Sequence, residues 1–345
     1  MLVVSGQVHA QEVPPTIEPY VPPMSLPSAI RLEGISPVYQ DLNRCSAAAL
    51  TIQLSYFDWS GSYDDTIRGL NPHIEDVAVR LEEMARFAEA QGLRAIIRIG
   101  GTLDLLKALV ANGFPVLVEN VYYEGGDVSR NWLSHNRVIM GYDDAQGALL
   151  SFDPLLGHGE GNLGRPILYT DVDRRWRDFN RDYLILYRPE DEERLIQVMA
   201  ALWDETYAYE TALAQSMAEL DTPYSDSFTL FNIGDALTRL GRYQEAAEYF
   251  DRARQTGLPW RMFWYIYTPF EAYYQMGRYA DMLDMARSVI QDTPGVEEMY
   301  YYAGLAYEAQ GDLERAKANY EVALMRNSFY TEAVQALGRV TVAGG

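Results

Sequence analysis

The sequence of 345 residues contains a single cysteine, Cys45. One cysteine cannot form a disulfide within the chain, and it excludes a zinc site built from several cysteine ligands. The thiol of Cys45 is therefore either a small buried apolar group or a nucleophile. Histidine, which often activates a thiol, is also scarce, with four residues: His9, His73, His135 and His158.

Basic residues are few as well, with 28 lysines and arginines against 49 acidic residues and a net charge of −21. This balance excludes non-specific binding to nucleic acid or to an anionic membrane surface, since both need basic patches. No apolar run approaches the roughly 20 residues of a spanning helix, so we predict no membrane span. The composition, 48% hydrophobic and 22% charged, is that of a folded globular protein. The chain is long enough for two domains.

Proline is concentrated near the N-terminus, where residues 11–28 hold six of the 16 prolines. Such a run favours an extended tether rather than part of a core. Val8-His9-Ala10 before it loosely matches a signal-peptidase site, although the preceding apolar stretch is short. We therefore predict that residues 1–29 are a truncated signal segment and a disordered tether. The protein is expected to be exported or attached to the cell surface, and a cytoplasmic location is the alternative.

Residues 30–189 show a mixed pattern of helical and strand periodicity. Asn43 is the expected N-cap of the first helix. Helices come mostly first and strands mostly later, which indicates an α+β domain rather than a doubly wound sheet. The predicted helices cover 47–57, 74–91 and 103–111, and the predicted strands cover 93–99, 115–121, 137–142, 148–152 and 183–187.

After residue 190 the strand signal disappears and a helical repeat begins. Gly241, Gly277 and Gly311 stand in similar surroundings, 36 and 34 residues apart, close to the period of about 34 residues of a tetratricopeptide repeat. We predict a connecting helix over 190–224 and about three repeats over 225–345. Such a solenoid is a protein-binding module, with the partner in its groove.

The packing positions of the repeat agree with this prediction in the first and third units. Small residues such as Gly234 and Gly304 would let paired helices approach, and aromatic residues such as Phe250 and Tyr320 would fill the space between them. The second unit is degenerate, with large residues at two of these positions. The many tyrosines of this region either line a binding groove or serve in packing between helices.

Cys45 stands at the start of a predicted helix, followed by Ser46 and three alanines. The positive end of the helix dipole lowers the pKa of a thiol at this place and favours the nucleophilic thiolate. Gln40 lies on the approaching loop. Its amide and the backbone N–H of Cys45 are suited to hold an oxyanion together.

His135 is the candidate base for this thiol, because it lies at the start of a predicted strand with an apolar interior. Asp153 follows at the end of the next strand, after a turn at 143–147. An antiparallel pair would bring Asp153 beside His135, where it could fix the tautomer of the imidazole. The alternatives are a hydrogen-bonded core histidine and an aspartate that opens a turn before Pro154. His158 is the second candidate base.

Residues 33–190 resemble the bacteriocin-processing, double-glycine leader type of cysteine peptidase, a branch of the papain-like fold. The resemblance rests on the Gln40 to Cys45 segment, on His135 leading into VIMGYDD, and on Phe152-Asp153-Pro154. It implies Cys45 as nucleophile, His135 as base and then acid, Asp153 as the residue that orients His135, and Gln40 as oxyanion donor.

Two positions depart from that family's pattern. Ser46 follows the cysteine where a glycine is usual, and Asn136 follows the histidine where an aromatic or aliphatic residue is common. The combination with tetratricopeptide repeats is similar to that of bacterial surface or exported proteins.

The predicted architecture is an α+β papain-like cysteine peptidase domain over 30–189 followed by an all-α tetratricopeptide-repeat solenoid. The predicted function is a thiol peptidase that acts on a peptide or protein substrate, without cofactor or metal. One alternative, favoured by Ser46, is a weakly active or inactive peptidase-like scaffold that binds a peptide and a protein partner. The other is a thiol acyltransferase or amidase with the same residues.

Overall fold

An antiparallel sheet forms the centre of the N-terminal half in the computed structural model, which describes residues 18–73, 75–123 and 132–343. In these residues the sheet has seven strands, in the order β2-β7-β3-β4-β5-β6, with β1 paired to β4. The strands are β1 (Ala29–Arg31), β2 (Arg94–Arg98), β3 (Val116–Tyr123), β4 (Trp132–Asp143), β5 (Ala148–Phe152), β6 (Arg165–Leu168) and β7 (Tyr183–Tyr187). The domain predicted as α+β is thus built on an antiparallel sheet.

Helices cover both faces of this sheet, so its central strands are buried on both sides. Val138 and Met140 of β4 pack against the helices on one face, whereas Ile139 packs on the other. This burial explains why the central strands are continuous apolar runs in the sequence. The helices of the first face are α1 (Cys45–Ser55), α2 (Tyr63–Leu70) and α3 (Leu81–Ala90), and those of the second are α4 (Leu103–Ala111) and α5 (Tyr169–Trp176).

The helix predicted over 74–91 is wrong in its first part, because α3 begins only at Leu81. The Asp76 carboxylate accepts the backbone N–H of Ala78 at 3.1 Å. The Arg44 guanidinium donates to the backbone carbonyl of Asp76 at 3.0 Å. These bonds hold the segment before α3 in a non-helical course. The N-cap of α1 is Arg44, not the predicted Asn43, whose φ of 57° places it outside the helix.

The described part of the predicted tether, 18–29, is not disordered. The Tyr20 hydroxyl donates to the carbonyl of Val198 at 2.7 Å, and the Tyr142 hydroxyl donates to that of Pro27 at 2.6 Å. Met24 and Leu26 pack against the core on the α4 face. Apolar side chains between the prolines anchor this segment. Residues 1–17, with His9 and the proposed signal segment, lie outside the described residues, and the predicted export stays a prediction.

Two helices, not the single predicted one, connect the sheet to the solenoid: α6 (Glu192–Met199) and α7 (Glu205–Glu219). The break lies at Ala200, which has a φ of 50°. Asp204 then caps α7 by accepting the backbone N–H of Tyr207 at 2.8 Å. A left-handed residue followed by a new N-cap ends one helix and starts another.

The predicted helical array follows as α8 (Ser227–Arg239), α9 (Tyr243–Thr256), α10 (Thr268–Gln275), α11 (Tyr279–Asp292), α12 (Glu297–Ala309), α13 (Leu313–Arg326) and α14 (Thr331–Ala343). Gly234 and Gly304 lie where a Cβ would stand 2.7 Å from the ring of Phe250 and 2.4 Å from that of Tyr320. These two glycines therefore permit the close helix approach that the repeat needs. Most tyrosines of the region are packed between helices, as Tyr273 is.

The solenoid packs on the sheet domain through one continuous apolar cluster. Val121 and Trp132 of the sheet domain belong to the same cluster as Phe231 and Phe270 of the repeats. The Trp132 ring stacks on Phe179 with a centroid separation of 4.9 Å. The two halves therefore share an apolar core.

Candidate active site

Cys45 is the first residue of α1, at the helix end that meets the sheet. The alanines at positions 47, 48 and 49 are fully buried, and α1 packs against β4. Small side chains allow this close packing, which carries the thiol to the middle of the sheet. Cys45 as a residue is half-buried.

His135 and Asp153 lie on neighbouring strands and are in direct contact. β4 pairs antiparallel with β5, with Val138 opposite Phe152. Asp153 comes directly after β5, and its Oδ1 is 2.7 Å from the His135 Nε2. Both side chains are buried. The backbone N–H groups of Leu155 and Leu156 also donate to Asp153 Oδ1, at 2.9 and 2.8 Å.

The surroundings of Asp153 keep it ionised. Burial raises the pKa of this carboxyl, but the hydrogen bond and charge of His135 and the charge of Arg137 outweigh it. The pKa of Asp153 is therefore held well below its usual range. The Arg137 guanidinium lies 3.4 Å from Asp153 Oδ2, so the carboxylate has a cationic neighbour on each side.

The His135 ring is oriented toward the thiol. Asp153 occupies Nε2, which leaves Nδ1 for the sulfur of Cys45, the neighbouring group that also raises the pKa of His135. Burial raises the pKa of the Cys45 thiol, but His135 and Asn136 together outweigh burial and lower it overall. Burial lowers the pKa of His135, whereas Asp153 and Cys45 raise it overall. These directions favour a thiolate beside an imidazolium.

Asn136 and Ser46, the two departures from the family pattern, are in contact with each other. The Asn136 Nδ2 donates to Ser46 Oγ at 3.0 Å and lies 3.9 Å from Cys45 Sγ. The backbone N–H of Asn136 also contributes to the lowered pKa of Cys45. The sequence already indicated these two residues, because Ser46 directly follows Cys45 and Asn136 directly follows His135, and both depart from the family pattern.

A cavity of about 220 Å³ opens in front of the thiol, and Cys45, His135 and Gln40 all line it. Asp153 lies behind His135. The Gln40 Nε2 is 3.4 Å from the carbonyl of Asp41. The backbone N–H of Gln40 donates to the carbonyl of Pro154 at 3.0 Å, which ties the Gln40 loop to the segment after β5.

The other described histidines stand apart from this cavity. The His158 ring packs edge-on against Tyr39 and Phe152, with centroid separations of 4.6 and 4.9 Å. Burial lowers its pKa. The His73 Nδ1 accepts the backbone N–H of Glu75 at 3.2 Å. Of the described histidines, His135 is the one placed to act on Cys45.

One wall of the cavity comes from the solenoid, which sequence reasoning did not anticipate. Tyr265, in the loop between α9 and α10, lines the cavity with Cys45 and His135. Burial raises the pKa of its hydroxyl, and the charge of Cys45 raises it further. No local pattern in the sequence marks Tyr265, because its position depends on how the two halves pack.

In the described ranges, no group of three or more histidine, cysteine or acidic side chains is arranged to hold a metal ion. None of the helices in these ranges is both long and apolar enough to cross a membrane.

Comparisons with known proteins support the repeats. Two family models described as tetratricopeptide repeat match residues 227–256 and 270–329. A protein-binding module in the C-terminal half is thereby confirmed. No curated protein matches the chain.

Similar solved structures are of two kinds. MamA from Desulfovibrio magneticus RS-1 is 25% identical, with a TM-score of 0.36, and the match covers 40% of this chain and 76% of that one. A double glycine motif protease from an AMS/PCAT transporter, in complex with the leader peptide, is 16% identical. Its TM-score is 0.32, and the match covers 45% of this chain and 91% of that one.

Proposed function

We propose that the protein is a papain-like thiol peptidase, with the candidate active site over 30–189 and the solenoid, over 225–345, as its protein-binding module. The observation that carries the proposal is the contact series from Cys45 through His135 to Asp153 at one cavity. A nucleophile, a base and a group that orients the base are the parts that acyl transfer needs.

In the first half-reaction the Cys45 thiolate attacks the scissile carbonyl and forms a C–S bond. The negative charge that develops on the carbonyl oxygen is held by the Gln40 amide and the backbone N–H of Cys45. His135 then gives its Nδ1 proton to the leaving nitrogen as the C–N bond breaks. The product is an amine and a thioester on Cys45.

In the second half-reaction a water molecule attacks the thioester carbonyl. His135, now neutral, takes a proton from this water at Nδ1. The C–S bond breaks, a carboxylic acid leaves, and the thiolate beside an imidazolium is restored. Asp153 stays ionised throughout, because its surroundings hold its pKa low, and it keeps the ring in one orientation.

The solenoid would hold a protein partner or the substrate protein itself. It also contributes Tyr265 to the cavity of Cys45, so recognition and chemistry would meet at one place. The proposed boundary near residue 190 agrees with the end of β7 at Tyr187. The helices of 190–224 then lead into the first repeat.

A binding protein with little or no turnover is the second candidate function. The observation that favours it is the Asn136 Nδ2 beside Cys45 Sγ, with Ser46 as its other partner. A donor aimed at the sulfur stabilises the thiolate and thereby lowers its reactivity. Acyl or amide transfer is the enzymatic alternative, in which an amine replaces water in the second half-reaction.

Alkylation of Cys45 by iodoacetamide across pH tests the proposal in the wild type and in His135→Ala. In the wild type, an alkylation rate that rises at a lower pH than for an ordinary thiol supports the ion pair. This low pH of titration should be lost in His135→Ala. A profile that matches a free thiol in both proteins overturns it. Incubation with a peptide library, with and without an added amine, then separates hydrolysis, transfer and binding without turnover.

A further inference from the structure

A second cavity, of about 260 Å³, lies between the sheet domain and the solenoid. One side is formed by Glu119 of β3 together with Asn180 and Asp182, which precede β7. The other side comes from Asn232 and Asp235 of α8 and Glu271 of α10. The first helices of the repeats therefore face the sheet domain across this space.

The lining carries more carboxyl groups than cations. Glu82, Glu119, Asp182, Asp235 and Glu271 line the cavity, against Arg80 and Arg239. Both arginines are already paired. Arg80 is 3.3 Å from Glu298, and Arg239 is 3.3 Å from Asp235. The cavity is thus lined by an excess of carboxyl groups over cationic groups.

Two buried amide oxygens point to a donor-rich ligand. Asn180 and Asn232 are 3% and 0% exposed, and both line the cavity. Within the described residues, neither Oδ1 has a hydrogen-bond partner, and one oxygen of Asp182 has none either. The amide nitrogens are fixed, because Asn180 Nδ2 donates to Asp235 at 2.8 Å and Asn232 Nδ2 donates to the carbonyl of Arg177 at 2.8 Å.

Unpartnered buried acceptors are unfavourable unless a ligand or water supplies donors. A guanidinium has five N–H donors and no acceptor, and its positive charge suits a carboxyl-lined space.

The second cavity adjoins the cavity of Cys45. Tyr265 lines both of them and stands between them. Glu119 accepts a hydrogen bond from the Ser134 hydroxyl, and Ser134 lines the cavity of Cys45 directly before His135. The linings of the two cavities are therefore in direct contact through Tyr265 and through the Ser134–Glu119 hydrogen bond.

We propose that the second cavity is a subsite for a positively charged side chain of the substrate peptide, with the guanidinium of arginine as the best fit. This inference rests on the proposed peptidase function, because the scissile carbonyl of the same peptide would lie at Cys45. The solenoid supplies half of the subsite and so takes part in the choice of substrate.

The ionisation of the lining supports this assignment. Burial raises the pKa of Glu119 and that of Asp182, and the charge of Glu119 raises that of Asp182 further. The charges of Cys45 and Glu82 also raise the pKa of Glu119, whereas the charge of Arg239 lowers the pKa of Asp182 and that of Asp235 raises it. Without a ligand the two carboxyls thus favour retaining a proton, and a guanidinium favours its release. Binding is therefore expected to release protons.

Isothermal titration calorimetry on the full chain with Cys45→Ser tests binding apart from catalysis. The probes are Nα-acetyl-arginine amide and Nα-acetyl-citrulline amide, which has the same shape without the charge. We expect the arginine probe to bind at least tenfold more tightly, with proton release that shows in buffers of different ionisation enthalpy. Equal affinities for the two probes, or no heat from the arginine probe, overturn the subsite.

The double variant Glu119→Gln/Asp182→Asn, in the same background, is expected to lose at least tenfold in affinity for the arginine probe. Glutamine and asparagine match the protonated carboxyls in shape, and thermal unfolding checks the fold. Glu160→Gln, an exposed carboxyl outside this lining, is the matched control. Unchanged affinity in a folded double variant contradicts the proposal.

Failure of the subsite and failure of the peptidase function give different results. A wild-type protein that cleaves peptides without any preference for a basic residue, and whose Cys45→Ser variant binds neither probe, keeps the peptidase and loses the subsite. A protein that binds the arginine probe through Glu119 and Asp182 but cleaves no peptide keeps the cation site and loses the peptidase.

Discussion

The Asn136 Nδ2 donates to Ser46 Oγ at 3.0 Å. The residue that follows His135 is thus hydrogen-bonded to the residue that follows Cys45. The same amide lies 3.9 Å from the Cys45 sulfur. Neither residue follows the usual pattern of the family that the sequence resembles, yet they form one polar contact. The two departures are thus linked, and they act on the thiol rather than merely filling space beside it.

Asn136→Ala is expected to raise the pH at which Cys45 titrates, because the side chain of Asn136 contributes to the lowered pKa of the thiol. The rate of iodoacetamide alkylation as a function of pH measures this shift. Val138→Ala, which changes a buried apolar residue of the same strand, is the control for general loosening. An unchanged titration midpoint in Asn136→Ala contradicts the assigned contact.

Asp153→Asn keeps the size of the side chain and removes its charge. Asp153 raises the pKa of His135, so we expect the imidazolium to be lost at lower pH in the variant. Peptide cleavage should fall by about a hundredfold or more, as for the loss of an oriented base. Activity equal to the wild type would show that Asp153 does not orient His135.

The stability effect of Asp153→Asn should depend on pH. The folded pKa of Asp153 is depressed, so its stabilising contribution is present above its unfolded value, about 3.9, and is lost as the pH falls below it. Near pH 7 we expect a loss of about 3 kcal/mol, because the variant leaves Arg137 buried without its partner. Urea unfolding at pH 7 and pH 2 measures the difference in stability between the wild type and the variant, which should shrink at the lower pH.

Glu119→Gln should stabilise the protein at high pH. The folded pKa of Glu119 is raised, so the contribution of this carboxyl is fully present below its unfolded value, about 4.3, and is lost as the pH rises through the folded pKa. The glutamine side chain does not ionise, so the variant does not lose stability in this way as the pH rises. Denaturant unfolding from pH 5 to pH 9 should give a wild-type curve that falls relative to that of Glu119→Gln. Parallel curves would mean that the carboxyl is not buried as described.

Gly304→Ala tests the close packing of the repeats. The new Cβ would meet the Tyr320 ring at 2.4 Å, and such overpacking costs about 1–3 kcal/mol. Gly338→Ala is the matched control, because it lies in α14 with open space around it. There the change should stabilise the helix by about 0.5–1 kcal/mol. Denaturant unfolding should therefore show opposite signs for the two variants.

Several elements were predictable because local pattern and tertiary structure agree. The helix α4, with Thr102 as its N-cap and Gly113 beyond its end, matches the predicted range, and so do β5 and β7. Their apolar runs are bounded by turn residues on each side. In such segments propensity and burial favour the same structure.

Other features depend on contacts between distant segments, which no local pattern contains. The segment before α3 has helical periodicity, but Arg44 and the carboxylate of Asp76 hold it in another conformation. Of the candidate site, Cys45 and His135 could be selected because both residue types are rare in this chain. Tyr265 could not, since only the packing of solenoid on sheet brings it to the thiol.

The apolar cluster that runs from Val121 and Trp132 into Phe231 and Phe270 has a consequence for how the protein can be divided. A chain cut near residue 190 would expose an aromatic surface on each fragment, and such surfaces favour aggregation. The two halves that differ so clearly in sequence are therefore expected to melt together. In this protein the protein-binding repeats are therefore also a structural part of the neighbouring sheet domain.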